Sequence, residues 1–237
     1  MKAGCRVKIC GITNIEDAKL ASIEGADYIG VVIEVSYSPR SQTVERAEPI
    51  FANTSLPAVA LVHEMQPGRL TELVTRLKPF AVQFLSPDGA AMAGQLKKIA
   101  PGMEIWQSLF LPAAEDGASA FDPEAMLRQV EQCKEAGVDV VVLDTAAVIN
   151  GVVRFGGTGT TGRWDQAAQV VAGSPLPAFL AGGIKPENVR EAVESVRPCG
   201  IDLCSGVELY TGKKSQAKLR SLMEEVRKAG GMNYRQG

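Results

Sequence analysis

The sequence predicts an α/β protein, a single (β/α)8 TIM barrel, and three observations carry that reading. Short β-branched runs alternate with polar-apolar stretches of helical period, the pattern of repeated βα units around a parallel sheet. About eight such pairs can be counted, the number that closes a barrel. The 237 residues, 46% of them apolar, suffice to bury one large core. Lengths of about 200–250 residues commonly belong to one barrel domain.

In chain order the expected strands are the runs 7–10, 28–33, 58–62, 81–84, 105–109, 138–143, 178–181 and 201–204, most of them rich in valine, isoleucine or leucine. Helix signals fall between them. Asn14 is placed to cap a helix from Ile15 to Glu24, Asp122-Pro123 opens one running to Ala136, and Pro186 starts one running to Ser195. The connections from Leu111 to Phe121 and from Ala146 to Gly162 exceed ordinary βα loops and follow strand ends, so they are expected to cover substrate. Residues 1–229 are assigned to the barrel, and residues 230–237, which lack an apolar period, to a flexible tail. The competing topology is a doubly wound open sheet. Its GxGxxG turn after the first strand is absent, since Cys10-Gly11-Ile12-Thr13 stands there.

Charge and composition narrow the function classes. Lys and Arg number 25 against 27 Asp and Glu, a formal net charge of −2, and the signs are interspersed. No footprint for nucleic acid or an anionic membrane results, and a small partner is expected. The first residues run into an apolar strand without a signal-peptide core, and no apolar stretch approaches membrane-spanning length, so a cytoplasmic protein is expected. Five cysteines without CxxC spacing argue against a disulfide framework and a zinc site. With His63 as the one histidine, a His-rich metal centre is excluded, and His63 itself reads as a surface or mouth residue.

Polar residues at the C-terminal ends of barrel strands point into the mouth, where barrels do chemistry. Here these are Cys10, Asp144, Gly182-Gly183 and Ser205-Gly206. Gly182 and Gly183 allow close approach of backbone to ligand and lead into a helix N-terminus, where unpaired N–H groups attract anions. Ser205 and Gly206 add a hydroxyl and further N–H groups on the neighbouring loop, and loops after the seventh and eighth strands form the recurrent phosphate site of this fold. The run Gly156-Gly157-Thr158-Gly159 lacks the Gly-Lys-Ser/Thr ending of a nucleoside triphosphate loop, but its N–H groups can touch a phosphate or close over substrate.

Several blocks then stand in a familiar order: Lys8-Ile9-Cys10-Gly11-Ile12-Thr13-Asn14, Ser38-Pro39-Arg40, Leu143-Asp144-Thr145, Gly156-Gly157-Thr158-Gly159, residues 181–189, Val196-Arg197-Pro198 and residues 202–208. In these the sequence resembles the phosphoribosylanthranilate isomerase family over nearly its whole length. The resemblance implies a cofactor-free Amadori rearrangement of N-(5-phosphoribosyl)anthranilate to its 1-deoxyribulose 5-phosphate isomer, in tryptophan biosynthesis. It implies Asp144 as the general acid that protonates the furanose oxygen, Cys10 as the general base that removes the C2 proton, and Arg40 as the donor that holds the anthranilate carboxylate. Physical chemistry is compatible with these roles. A thiol near 8.5 becomes a base once a cation favours thiolate, and an aspartate near 3.9 becomes an acid once burial or a negative neighbour raises it.

The departures cluster in the aromatic half of the pocket. Leu85 and Ser86 stand where the family has His-Gly, and Trp106-Gln107-Ser108-Leu109 lacks the family's lysine pattern. Glu34 is inserted before the Ser-Pro-Arg block and reads as an inward carboxylate that would repel anthranilate. Two further readings therefore stand beside the first: an isomerase of another phosphorylated aminosugar, and a non-catalytic barrel that binds sugar phosphates. In each the partner is a small phosphorylated sugar and the protein a monomer or homodimer. Cys204 and the tryptophans read as packing, and the role of Glu208 is left open.

Overall fold

A computed structural model of the chain describes residues 4–87, 89–111, 121–149, 152–155 and 164–232. Eight parallel strands form the barrel: β1 (Arg6–Ile9), β2 (Tyr28–Val32), β3 (Ala58–Val62), β4 (Ala81–Phe84), β5 (Glu104–Leu111), β6 (Val140–Ile149), β7 (Ala178–Leu180) and β8 (Gly200–Leu203). Each pairs with the next in sequence, and β8 returns to β1 with Lys8 opposite Asp202, so the ring closes. Helices α1 (Ile15–Glu24), α2 (Val44–Asn53), α3 (Pro67–Leu77), α4 (Gly89–Ile99), α5 (Pro123–Ala136), α6 (Trp164–Gly173), α7 (Val189–Val196) and α8 (Gln216–Met232) alternate with the strands. The architecture is the predicted (β/α)8 TIM barrel.

Local chemistry sets the element ends. The Asn14 side chain accepts from the Asp17 N–H at 2.9 Å, Glu16 and Asp17 place negative charge in the first turn of α1, and Gly25 ends the helix in the left-handed region. Helix α5 begins in the same way, with the Asp122 carboxylate accepting from the N–H groups of Glu124 and Ala125 and with Pro123 in the first turn. Alternate residues along each strand divide the apolar groups into two cores. Ile9, Val31, Ala60, Val82, Ile105, Leu143, Leu180 and Ile201 face outward into an aliphatic shell against the helices. Tyr28, Trp106 and Phe179 face inward and plug the N-terminal half of the barrel, with ring centroids 4.9 to 6.0 Å apart.

Three elements differ from expectation. Strand β6 continues to Ile149 and pairs antiparallel with a strand over Val152–Phe155, so part of the expected long connection is a hairpin. Its sequence signal is Asn150-Gly151 between β-branched runs. Helix α7 starts at Val189 and not at Pro186, because the Asn188 side chain first closes a turn by accepting from the Lys185 N–H at 2.8 Å. Helix α8 runs on to Met232, so residues 230–232 are helical where a tail was expected. Residues 233–237 lie outside the described residues.

Candidate active site

The mouth is built from the C-terminal ends of the strands. Cys10 follows β1, its N–H donating to the Leu203 carbonyl of β8 at 2.9 Å, and its side chain belongs to the inner core. Asp144 lies on β6 one residue past the last pairing with β7, where Leu143 meets Leu180, and opposite Phe110 of β5. Both side chains are all but buried at the rim.

Beneath Cys10, the interior of the barrel carries charge. Lys8 Nζ donates to Asp202 Oδ2 at 2.6 Å and to Gln83 Oε1 at 2.9 Å, and Gln83 in turn donates to the Ser108 hydroxyl at 3.0 Å. All four side chains are buried. Burial opposes the charge on Lys8, yet Asp202 and Cys10 together hold its ammonium above the ordinary lysine range. Burial pushes the Cys10 thiol up to about 12, with Lys8 and Lys214 pulling it down and Asp202 and Cys204 pushing it further up. Sequence reading passed over Lys8 and Asp202 as strand residues. Their signal was a charge on the inward face of a strand that is otherwise apolar.

The last loop is pinned by a second buried cluster. Arg40 Nε and Nη2 donate to the two oxygens of Glu208 at 2.7 and 2.6 Å, and Glu208 Oε1 also accepts from Lys214 Nζ at 3.1 Å and from the Gly212 N–H at 3.2 Å. Burial works against the Glu208 charge, but these cations hold its carboxyl below the usual range. Glu208, whose role the sequence left open, thus ties the loop after β8 to the loop after β2. The carboxylate that Arg40 grips in this structure is that of Glu208, in the two-pronged geometry that suits a guanidinium.

Gly182 and Gly183 both adopt left-handed φ, 89° and 62°. The Asn188 amide, donating to the Gly183 carbonyl at 3.0 Å, clips that loop into shape. Residues Ser205–Val207 form a 3₁₀ turn directly after β8, and a Cβ on Gly206 would run into the Ile184 carbonyl. The fold therefore brings Gly182, Gly183, Ser205 and Gly206 together on two abutting loops. Gly156, Gly157 and Gly159 lie outside the described residues.

The expected inward Glu34 is corrected. Its φ of 53° swings the side chain toward α3, where it pairs with Arg69, and Arg69 holds its carboxyl below the usual range. Val35 takes the inward place beside Cys10 and Leu85. Tyr37, the next residue of note, meets His63 edge-on with ring centroids 5.2 Å apart. Its buried hydroxyl has no hydrogen-bond partner among the described residues, and burial, Glu64 and Asp144 push it up to about 12. Tyr37 is thus a mouth residue beside Asp144 that the sequence reading did not single out. Trp106 packs in the barrel floor, and Cys204 Sγ lies 3.8 Å from Glu208 Oε1. Among the described residues no group of three or more His, Cys, Asp or Glu is placed to hold a metal, and no helix is long and apolar enough to cross a membrane.

Comparison with known proteins adds to this geometry. The sequence model of the family described as N-(5'phosphoribosyl)anthranilate (PRA) isomerase matches residues 7–225. The N-(5'-phosphoribosyl)anthranilate isomerase of Methanocella arvoryzae is 34% identical over 227 residues, covering 94% of this chain and 98% of its own. The crystal structure of phosphoribosyl anthranilate isomerase from Thermotoga maritima is similar with a TM-score of 0.74 at 27% identity, over 94% of this chain and 99% of that one. A phosphoribosyl anthranilate isomerase in complex with reduced 1-(o-carboxyphenylamino)-1-deoxyribulose 5-phosphate is similar with a TM-score of 0.71 at 26% identity, over the same shares of the two chains.

Proposed function

The chain belongs to the N-(5'-phosphoribosyl)anthranilate isomerase family, and from that premise we propose that Cys10 and Asp144 are its general base and general acid. It is an isomerase of tryptophan biosynthesis that converts N-(5'-phosphoribosyl)anthranilate into the 1-deoxyribulose 5-phosphate isomer by an Amadori rearrangement. Asp144 gives a proton to the furanose ring oxygen, the C1–O bond opens, and the anthranilate nitrogen becomes an iminium. Cys10 takes the C2 proton, the C–H pair forms the C1=C2 bond, and the neutral enolamine tautomerises to the ketone. Each proton transfer by a positioned group is worth about 10²- to 10⁴-fold in rate.

The observation that carries these assignments is the placing of Cys10 just past β1 and of Asp144 on β6 just past its pairing with β7, at the same mouth as the paired loops after β7 and β8. Gly182, Gly183, Ser205 and Gly206 hold the phosphate through backbone N–H groups and a hydroxyl, and Gly156, Gly157 and Gly159 are assigned to the same substrate-binding set. Arg40 binds the anthranilate carboxylate. The steps move only protons, so no cofactor is invoked, and the small phosphorylated substrate belongs to the cytoplasm. The test is complementation of a tryptophan auxotroph lacking the isomerase. The wild-type chain restores growth, and soluble Cys10→Ala or Asp144→Asn chains do not. Growth on either variant would remove that residue from its role.

A further inference from the structure

Lys8 has no part in the steps just described, although it is fully buried in the centre of the barrel. Stability does not account for it. Desolvating a buried ion pair costs about as much as the pair returns, and hydrophobic side chains of similar volume commonly replace such pairs without loss. What distinguishes this pair is its location. Cys10 extends the line of β1 by one residue, two beyond Lys8, so both side chains face inward, one layer above the other. A Cβ built on Gly30 of β2 would lie 3.1 Å from Lys8 Cε and 3.0 Å from Cys10 Sγ, so one small gap touches both. That puts Lys8 Cε, one bond from the ammonium nitrogen, within about 6 Å of Cys10 Sγ, close enough for the charge to act on the thiol.

We propose that Lys8 is a positioning residue for the isomerisation: its ammonium, pinned by Asp202 and Gln83, favours Cys10 as the thiolate that takes the C2 proton. This rests on Cys10 being the base. In the step, the C2 proton passes to Sγ, the thiolate becomes a thiol, and the C–H electron pair becomes the C1=C2 bond as the iminium is neutralised. Lys8 keeps its protons throughout. The charged and titratable groups that act on Cys10 are Lys8 from β1, Asp202 from β8, Cys204 and Lys214 from the segment after β8, and Arg40 from the loop after β2. Arg40 and Lys214 are committed to Glu208, and Asp202 and Cys204 work against a thiolate. Of the two cations that favour a thiolate, Lys8 acts more strongly than Lys214, and Asp202 aims the Lys8 ammonium while keeping it protonated.

The experiment measures iodoacetamide alkylation of Cys10 against pH, resolved by peptide mass spectrometry, beside the pH profile of kcat/KM. In Lys8→Met, alkylation at mildly alkaline pH slows about tenfold or more, and the limb of kcat/KM that rises with pH moves to higher pH; one unit of pKa is tenfold in thiolate. The double variant Lys8→Met/Asp202→Leu keeps the interior neutral and shows a smaller slowing in the same direction, and it carries the test alone when the single variant does not fold. An alkylation profile equal to wild type in the folded variant overturns the proposal. The two assignments separate cleanly. A Cys10→Ala chain that still turns over removes the base assignment, whereas an inactive Cys10→Ala chain with unshifted alkylation in the lysine variants removes only the role of Lys8.

Discussion

The eight strands serve two cores that differ in kind. On their outward faces Ile9, Val31, Ala60 and Val82 meet helix residues such as Leu70, Leu73 and Leu96 in a shell built almost wholly from aliphatic groups. On the inward faces three aromatic rings fill the floor, Lys8, Asp202, Gln83 and Ser108 form a buried polar layer above it, and Cys10 and Asp144 stand at the rim. The shell tolerates exchange of one aliphatic for another because only volume and apolarity matter there. The interior places charge where burial penalises it, and proteins keep such arrangements chiefly where chemistry needs them. One strand thus carries both duties on alternate residues.

The largest effect expected from the interior is loss of turnover. Asp144→Asn lowers kcat by about 10²- to 10⁴-fold while its thermal midpoint stays close to wild type, as steady-state kinetics and thermal unfolding will show. A variant that loses stability and keeps its rate would move Asp144 into the structural class. Glu208 lies between the two regimes. Removing the charged partner of buried Arg40 and Lys214 costs about 3–5 kcal/mol, so Glu208→Gln unfolds at markedly lower denaturant near neutral pH. Because its carboxyl is held below the usual range, its contribution is present above that range and lost as pH falls through the depressed value. The gap between wild type and variant should close in acid, and a gap independent of pH would contradict the role given to its charge. The smallest effect is at Glu34. Its partly exposed pair with Arg69 is worth about 0–1 kcal/mol, so Glu34→Gln leaves stability and KM nearly unchanged. A fall in KM would show that the carboxylate reaches the substrate after all.

What could be read from the sequence follows the same division. The shell writes itself as periodicity, which is why the strands and the cap at Asn14 stand where expected. Rim positions were legible as well, because the side chain that follows the last apolar residue of a barrel strand opens into the mouth, and a polar group there stands out against the run before it. The polar layer was not. Lys8 meets Asp202 only because the last strand closes onto the first, across nearly the whole chain, and no local pattern announces that register. Glu34 misled for the opposite reason: its direction is set by a single left-handed residue that nothing in the neighbouring sequence demanded. The hairpin at the end of β6 was announced by Asn150-Gly151, a signal hidden inside what reads as a long loop.

Ile9 and Cys10 are adjacent in sequence and face opposite cores, so they offer the most direct test. The measurement is kcat and thermal midpoint for Ile9→Ala and Cys10→Ala, side by side, with N-(5'-phosphoribosyl)anthranilate as substrate. Ile9→Ala is expected to lose about 2–5 kcal/mol of stability and, while folded, to keep its kcat. Cys10→Ala is expected to keep its midpoint nearly intact and to lose about 10²-fold or more in kcat. Turnover retained by a folded Cys10→Ala chain would contradict the division of the strand into a packing face and a chemical face.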